Sequence, residues 1–178
     1  MPSRSKGFTL IELLVTVGII MALMAIGAYT FFDALPGIRV KAAARELYGN
    51  LQKARVTAMS TSATITATLI TSNNSYTVGG DTIPMNTANP GVQFGAVAGT
   101  TPWDATRGLD DGIAVPADGI LPVDQFSIDH RGRPSKDGEI YLIHRKDLGE
   151  GRKDRTYCIA IRQIGTYRLL RYDGTSWQ

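Results

Sequence analysis

The sequence predicts an α+β protein: a long N-terminal helix, transmembrane in its first half and amphipathic in its second, packed on an antiparallel β-sheet domain. Three observations predict it. An apolar run without a single charge extends from Leu13 to Phe32. Apolar residues then recur at spacings of three and four as far as Met59. From Ser60 the period drops to two, and β-branched residues alternate with polar ones.

The first element starts behind a short polar stretch. Residues 1–7 read Met-Pro-Ser-Arg-Ser-Lys-Gly, with Arg4 and Lys6 as the only charges. The twenty residues of the Leu13–Phe32 run would rise ~30 Å as a helix, the thickness of a bilayer's hydrocarbon core. A secretory signal peptide has a shorter apolar core and a small-residue cleavage site beyond it, and no clear Ala-x-Ala-like site follows here. Arg4 and Lys6 hold the near end in the cytoplasm, so the rest of the chain emerges on the other face. Glu12 breaks the apolar pattern. An ionisable group at the edge of a span is costly and usually has a partner. The residues alone allow two readings, a carboxylate snorkelling at the lipid–water boundary or one with a functional partner.

Leu35-Pro36-Gly37 predicts an interruption or a kink, because proline lacks the backbone donor and clashes with the preceding turn. The pattern resumes with Val40, Ala43, Ala44, Leu47, Leu51, Ala54 and Ala58 on one face. Lys41, Arg45, Glu46, Gln52, Lys53 and Arg55 fill the others. This predicts an amphipathic helix from about Ile38 to Met59.

Thr64–Ile70 and Ser75–Val78 alternate as strands, with Asn73-Asn74 as a hairpin turn between them. Residues 79–124 are rich in Gly, Pro, Asp, Thr and Ala. Val92-Gln-Phe94 and Gly112-Ile-Ala-Val115 suggest one or two short strands there. Clearer strands follow at Gln125–Ile128, Glu139–His144, Thr156–Arg162 and Thr166–Tyr172, with turns at Arg131-Gly-Arg-Pro134, Gly149-Glu-Gly151 and Ile164-Gly165. In the third of these strands Tyr157, Ile159 and Ile161 line one face, and Cys158, Ala160 and Arg162 the other.

Of 178 residues, roughly 120–140 remain outside a membrane, enough for one domain and too few for two. The formal charge of +3 is unevenly spread: residues 129–178 hold eleven basic and seven acidic residues, a net of +4. Such a region either attracts an anionic polymer or solvates the outer face of a sheet. Cys158 is the only cysteine, so no intrachain disulfide forms and no cysteine zinc site is available.

Gly7-Phe8-Thr9-Leu10-Ile11-Glu12 ahead of a long apolar helix resembles the cleavage and assembly motif of type IV pilins and type II secretion pseudopilins. The resemblance implies that prepilin peptidase cuts after Gly7 and that Phe8 becomes the methylated first residue. It also implies that Glu12 is the assembly glutamate at mature position five. A bend at a proline near Pro36 fits the same family. The C-terminal third is similar to minor pseudopilins and pilins of the GspH/FimT type, through Phe126…Gly132, the apolar strand Ile140–Ile143, and a closing hairpin whose second strand follows Gly165. The implied organisation is a basic leader (1–7), a transmembrane assembly helix (8–35), an amphipathic helix (36–59) and a β-rich globular domain (60–178). The implied partners are prepilin peptidase, other pilins or pseudopilins through the N-terminal helix, and the bacterial inner membrane.

Other chemistry finds little support. The sequence lacks a Walker-type loop, a Gly-x-Gly-x-x-Gly after a strand, a His-Glu-x-x-His and a Gly-x-Ser-x-Gly. His130 and His144 read as polar surface residues rather than bases. Asp110-Asp111-Gly112, near Asp104 and Asp118, reads as a turn before it reads as a calcium loop. No cofactor or metal is expected. DNA is the rival partner. Some FimT-like pilins bind DNA through a Gly-Arg-x-Arg motif in the closing hairpin, and the matching stretch is Gly165-Thr166-Tyr167-Arg168. Only its last arginine carries over. Arg162, Arg168 and Arg171 would form a basic edge, with Tyr167, Tyr172 and Trp177 as stacking surfaces. The expected function is therefore a non-enzymatic minor pilin or pseudopilin, assembled near the tip of a pilus or secretion pseudopilus. The alternatives are a DNA-uptake pilin and a passive membrane-anchored domain.

Overall fold

The structure, a computed structural model, describes residues 8–103, 120–121 and 124–178. The leader with Gly7, the Gly112–Val115 stretch, and Asp104, Asp110, Asp111 and Asp118 lie outside the described residues. The chain divides into two compact units, Met1–Leu35 and Pro36–Gln178.

Helix α1 spans Leu10–Thr61. It continues through Pro36, so of the expected interruption or kink the interruption does not occur. A proline removes one backbone bond. The turns that follow are fixed by packing, which supplies most helical stability in a folded domain: Val40, Ala43, Ala44, Leu47, Leu51, Ala54 and Ala58 are all buried. By contrast, every residue from Phe8 to Phe32 is exposed, including the large apolar ones.

Among its described residues the second unit carries two antiparallel sheets where one was expected. The first has the order β3-β2-β1-β6, built from β1 (Ile65–Ile70), β2 (Ser75–Val78), β3 (Asp81–Pro84) and β6 (Gln125–Ile128). The β1–β2 connection is a 3-10 turn, Thr71–Asn73, closed by Asn74 in the left-handed region at φ 54°. Asn74 is held there because Nδ2 donates to Val92 O at 2.5 Å and Oδ1 accepts from Phe94 N at 3.0 Å. The second sheet has the order β4-β7-β8-β9, from β4 (Val92–Phe94), β7 (Gly138–His144), β8 (Tyr157–Arg162) and β9 (Thr166–Arg171). A short β5 (Ile120–Leu121) also pairs with β7. Short helices α2 (Met85–Ala88) and α3 (Arg145–Gly149) join strands.

The packing explains why β7 and β8 read as nearly continuous apolar runs. Ile140, Leu142, Tyr157, Ile159, Ile161 and Tyr167 belong to the main core with the buried face of α1. Tyr141, Cys158 and Ala160 belong to a second, smaller core with Ala96 and Trp103, onto which Leu170 and Trp177 pack. Both faces of the central strands are thus covered, the condition that removes hydrophobic–polar alternation.

Candidate processing and assembly site

The N-terminus of α1 is built by a reciprocal cap. Thr9 N and Thr9 Oγ1 donate to Glu12 Oε2 at 3.3 and 3.2 Å, and Glu12 N donates to Thr9 Oγ1 at 3.3 Å. This is a capping box, Thr-x-x-Glu, in which the two side chains satisfy backbone donors that the first helical turn leaves unpaired. The box also sets the Glu12 carboxylate at the positive end of the helix dipole, where a negative charge is favoured. One carboxylate oxygen is committed to Thr9. Oε1 accepts no hydrogen bond among the described residues. Phe8, directly ahead of the cap, is 75% exposed. Thr9 is the participant that a focus on Glu12 overlooks, and the Thr-x-x-Glu spacing before an apolar run was its signal.

The predicted basic edge takes a different form. Arg162 is 14% exposed, and its Nη2 lies 3.0 Å from Oε1 of Glu139, itself 4% exposed. The guanidinium sits over the Trp103 ring at 4.7 Å. Tyr141 Oη donates to Glu139 Oε2 and accepts from Trp103 N at 3.2 Å. Burial beside a carboxylate pushes the Tyr141 phenol well above its usual range. Arg162 is therefore part of the smaller core's polar wall. Arg168 is exposed on β9 opposite Ala160. Arg171 lies three residues further, so strand alternation directs it to the other face. Its Nε and Nη2 donate to Asp154 O at 3.3 Å. The expected stacking surfaces are also engaged: Tyr167 and Tyr172 are buried, and Trp177 packs against Tyr141 and Tyr172 at 5.5 and 4.9 Å.

The two histidines differ in setting. His130 is exposed in a turn. His144 caps α3: Nδ1 accepts from Lys146 N at 3.1 Å, and Nε2 is 3.3 Å from Pro90 O. The neighbouring Asp147 is fully buried and lies 3.4 Å from Arg155. Desolvation raises its pKa, and the Arg155 charge acts against that rise. Among the described residues no group of three His, Cys, Asp or Glu side chains converges on one point.

The turns that carried the C-terminal resemblance meet at α1. Gly132, at φ +73°, lies so close to Arg55 that a Cβ would come within 2.9 Å of its Cγ and Nε. A Cβ on Gly165, at φ +86°, would lie 3.4 Å from Arg55 Nη2. Arg55 in turn lies over the Tyr167 ring at 5.7 Å. The left-handed backbone favours glycine at both places, and at Gly132 the close approach of Arg55 does so as well.

Known proteins resemble the chain in two ways. The family described as the prokaryotic N-terminal methylation motif matches residues 2–28. No curated protein matches the chain. Among solved structures, the minor pseudopilin EpsH from the type 2 secretion system of Vibrio cholerae is similar at 14% identity and a TM-score of 0.50, covering 78% of this chain and 99% of its own. The type IV minor pilin FimU of Pseudomonas aeruginosa is 15% identical, with a TM-score of 0.41 over 73% of this chain and 87% of its own. This chain thus joins an N-terminal methylation motif, the prepilin signal of type IV pilins, to a globular domain of the pilin-like α+β fold.

Proposed function

We propose that this protein is a minor pilin or pseudopilin, a structural subunit rather than an enzyme. Prepilin peptidase cleaves it between Gly7 and Phe8, and the new Phe8 amine is methylated. The apolar part of α1 anchors it in the bacterial inner membrane, with the N-terminus cytoplasmic and the domain periplasmic or extracellular. Assembly then places it near the tip of a type IV pilus or a type II secretion pseudopilus. One observation carries this reading: the methylation motif over residues 2–28 leads into a helix with the uncharged apolar run Leu13–Phe32.

The capping box gives the assembly step a physical form. Cleavage leaves an ammonium on Phe8 at the membrane. In this reading Glu12 Oε2 stays with Thr9, and Oε1 accepts a hydrogen bond from the ammonium of a neighbouring subunit. Two charges that are costly singly in a low-dielectric setting become one pair. The test is Glu12→Ala in cells that make the filament. Cleavage and membrane insertion should be normal and filament entry lost. Unchanged filament entry would sink the role given to Glu12, and an uncut precursor in the unsubstituted protein would leave only a passive membrane-anchored domain.

The DNA-uptake alternative is favoured by no observation here, since Arg162 is paired inside the domain and Arg168 and Arg171 face apart. A salt series with short single- and double-stranded DNA separates the two readings. Salt-steep binding lost in Arg168→Ala would replace the structural reading.

A further inference from the structure

The second unit carries a groove on one flank and a knob on another. The groove, about 730 Å³, lies between α1 and the β3 end of the first sheet. Its apolar lining is Ala54 on the helix and Ile65, Val78 and Ile83 on the sheet. The last three pack on the main core but are only partly buried. Two charges stand at the groove, Lys53 on α1 and Asp81 on β3. Both are exposed, and neither makes an ion pair among the described residues. Nothing within the domain fills this space: β3 is the last strand of its sheet, and the Gly79-Gly80 turn in the lining has no side chain to offer.

The knob is the β8–β9 turn, Gln163-Ile164-Gly165. Ile164 is 83% exposed, more than any other large apolar side chain of this unit among the described residues. The turn that displays it is nevertheless fixed. Gly165 N donates to Arg162 O at 2.8 Å. Gln163 N donates to Asp137 Oδ1 at 2.6 Å, and Gln163 Nε2 to Ser135 O at 2.9 Å. An apolar side chain held out on a rigid turn loses little freedom when it binds. Of the charges on this turn and the β6–β7 loop bonded to it, Arg133 is paired with Asp129. Arg131, Lys136 and Asp137, and Arg168 further along β9, are exposed and make no ion pair among the described residues. Asp81 of the groove suits one of these cations, and Lys53 suits Asp137. The two features also stand apart around α1. Lys53, Ala54, Thr57 and Thr61 line the groove, whereas Arg55 lies against Gly165 and Met59 against Gly132. With 3.6 residues per turn, these two sets are roughly half a turn apart around the helix.

We propose that the Ile164 turn of one copy docks in the α1–β3 groove of a second copy of this chain. Ile164 supplies the apolar side chain that the groove lacks, and the flanking charges of each patch find opposite partners on the other. The two patches differ, so the contact is heterologous and does not close into a two-fold dimer. Knob and groove flank the same stretch of α1 on opposite sides, so the contact passes sideways from copy to copy. This docking rests on the filament-subunit reading above and names a partner for it. A single turn makes a small interface, and anchoring in one bilayer raises the effective concentration at which it acts.

The test uses the full mature chain in phosphatidylcholine vesicles with a short bismaleimide cross-linker. Thr57→Cys puts a thiol on the exposed helical wall of the groove, and Ile164→Cys puts one on the knob. Cys158, fully buried, stays in place, and the unsubstituted chain is the control. A mixture of the two single variants should cross-link roughly fivefold faster than either variant alone. The double variant should give a ladder of multimers. Asp81→Lys, at an exposed position, should slow the mixed cross-link roughly tenfold. Equal rates in the mixture and in the single variants, or a mixed rate indifferent to Asp81→Lys, would overturn the docking. A double variant that stops at dimers would overturn its sideways propagation. A chain that alkaline carbonate strips from the vesicles overturns the anchored-subunit reading itself. A chain that is retained but cross-links at random overturns the docking alone.

Discussion

The two parts of α1 are one element by hydrogen bonding and two by solvent. From Phe8 to Phe32 no side chain is buried, whereas Val40, Ala44, Leu47, Leu51 and Ala58 are completely so. The apolar content of the first part has no polar face to orient it, as suits a helix surrounded by lipid or by other helices. That of the second is confined to a stripe, and the stripe is what the two sheets cover. Hydrophobicity alone therefore says little about where an apolar residue sits in this protein. Its distribution around the helix says more.

Substitutions in the second unit should consequently register in its unfolding, and matched ones in the first should not. The largest effect is expected away from the helix, at Arg162→Ala. It leaves the buried Glu139 carboxylate without the guanidinium at 3.0 Å. A loss of about 4 kcal/mol is expected for breaking such a pair from one side, seen as a lower thermal midpoint of the full chain in detergent. Leu47→Ala comes next, with about 3 kcal/mol for a cavity at a fully buried leucine. Its control is Leu14→Ala, at a position 66% exposed, which should leave the domain's transition where it is. A comparable drop in Leu14→Ala would break the division between the two parts.

Much of this division was legible in the sequence. The span, the buried stripe and most of the strands follow from period and composition, because lipid and a packed core impose different patterns on the same residue types. What was not legible depends on partners distant in sequence. Arg162 reads as a surface cation until Glu139, Tyr141 and Trp103 are brought around it. Lone apolar positions such as Cys158 and Ala160 do not announce that the loop around Ala96–Trp103 will cover them. The split into two sheets depends on pairings between strands far apart in the chain, β1 with β6 and β4 with β7, which alternation within one strand cannot specify. At the candidate site Glu12 was legible by resemblance, and Thr9 only by its spacing to Glu12.

A smaller effect tests how tightly the turns seat on α1. Gly132→Ala forces a Cβ into a left-handed residue and against Arg55. About 1–2 kcal/mol should be lost, since Arg55 can move away only by leaving the Tyr167 ring. Gly49→Ala, in an exposed turn of α1 with open space around it, should instead stabilise by up to about 1 kcal/mol. Opposite signs for the two glycines in denaturant titrations would confirm that the constraint lies at the turn and not in glycine as such. A neutral Gly132→Ala would mean that Arg55 is not held there.

The smallest effect at neutral pH belongs to Tyr167, whose hydroxyl is buried without a hydrogen-bond partner. Removing an unsatisfied group costs little, so Tyr167→Phe should change stability by less than about 0.5 kcal/mol at pH 7. The difference should open in alkali. Burial raises the phenol from 10.0 to about 12, against the opposing charge of Arg55. Between those values the unfolded chain gives up the proton before the folded one does. Stability contributed by this group is then whole below pH 10 and is lost as pH rises toward 12. The phenylalanine variant lacks that loss and should be the more stable protein in this window, by an amount that grows with pH. Chemical denaturation at pH 7 and across the alkaline window measures both. Parallel curves throughout would mean that Tyr167 is wetter than its buried place on β9 under Arg55 allows.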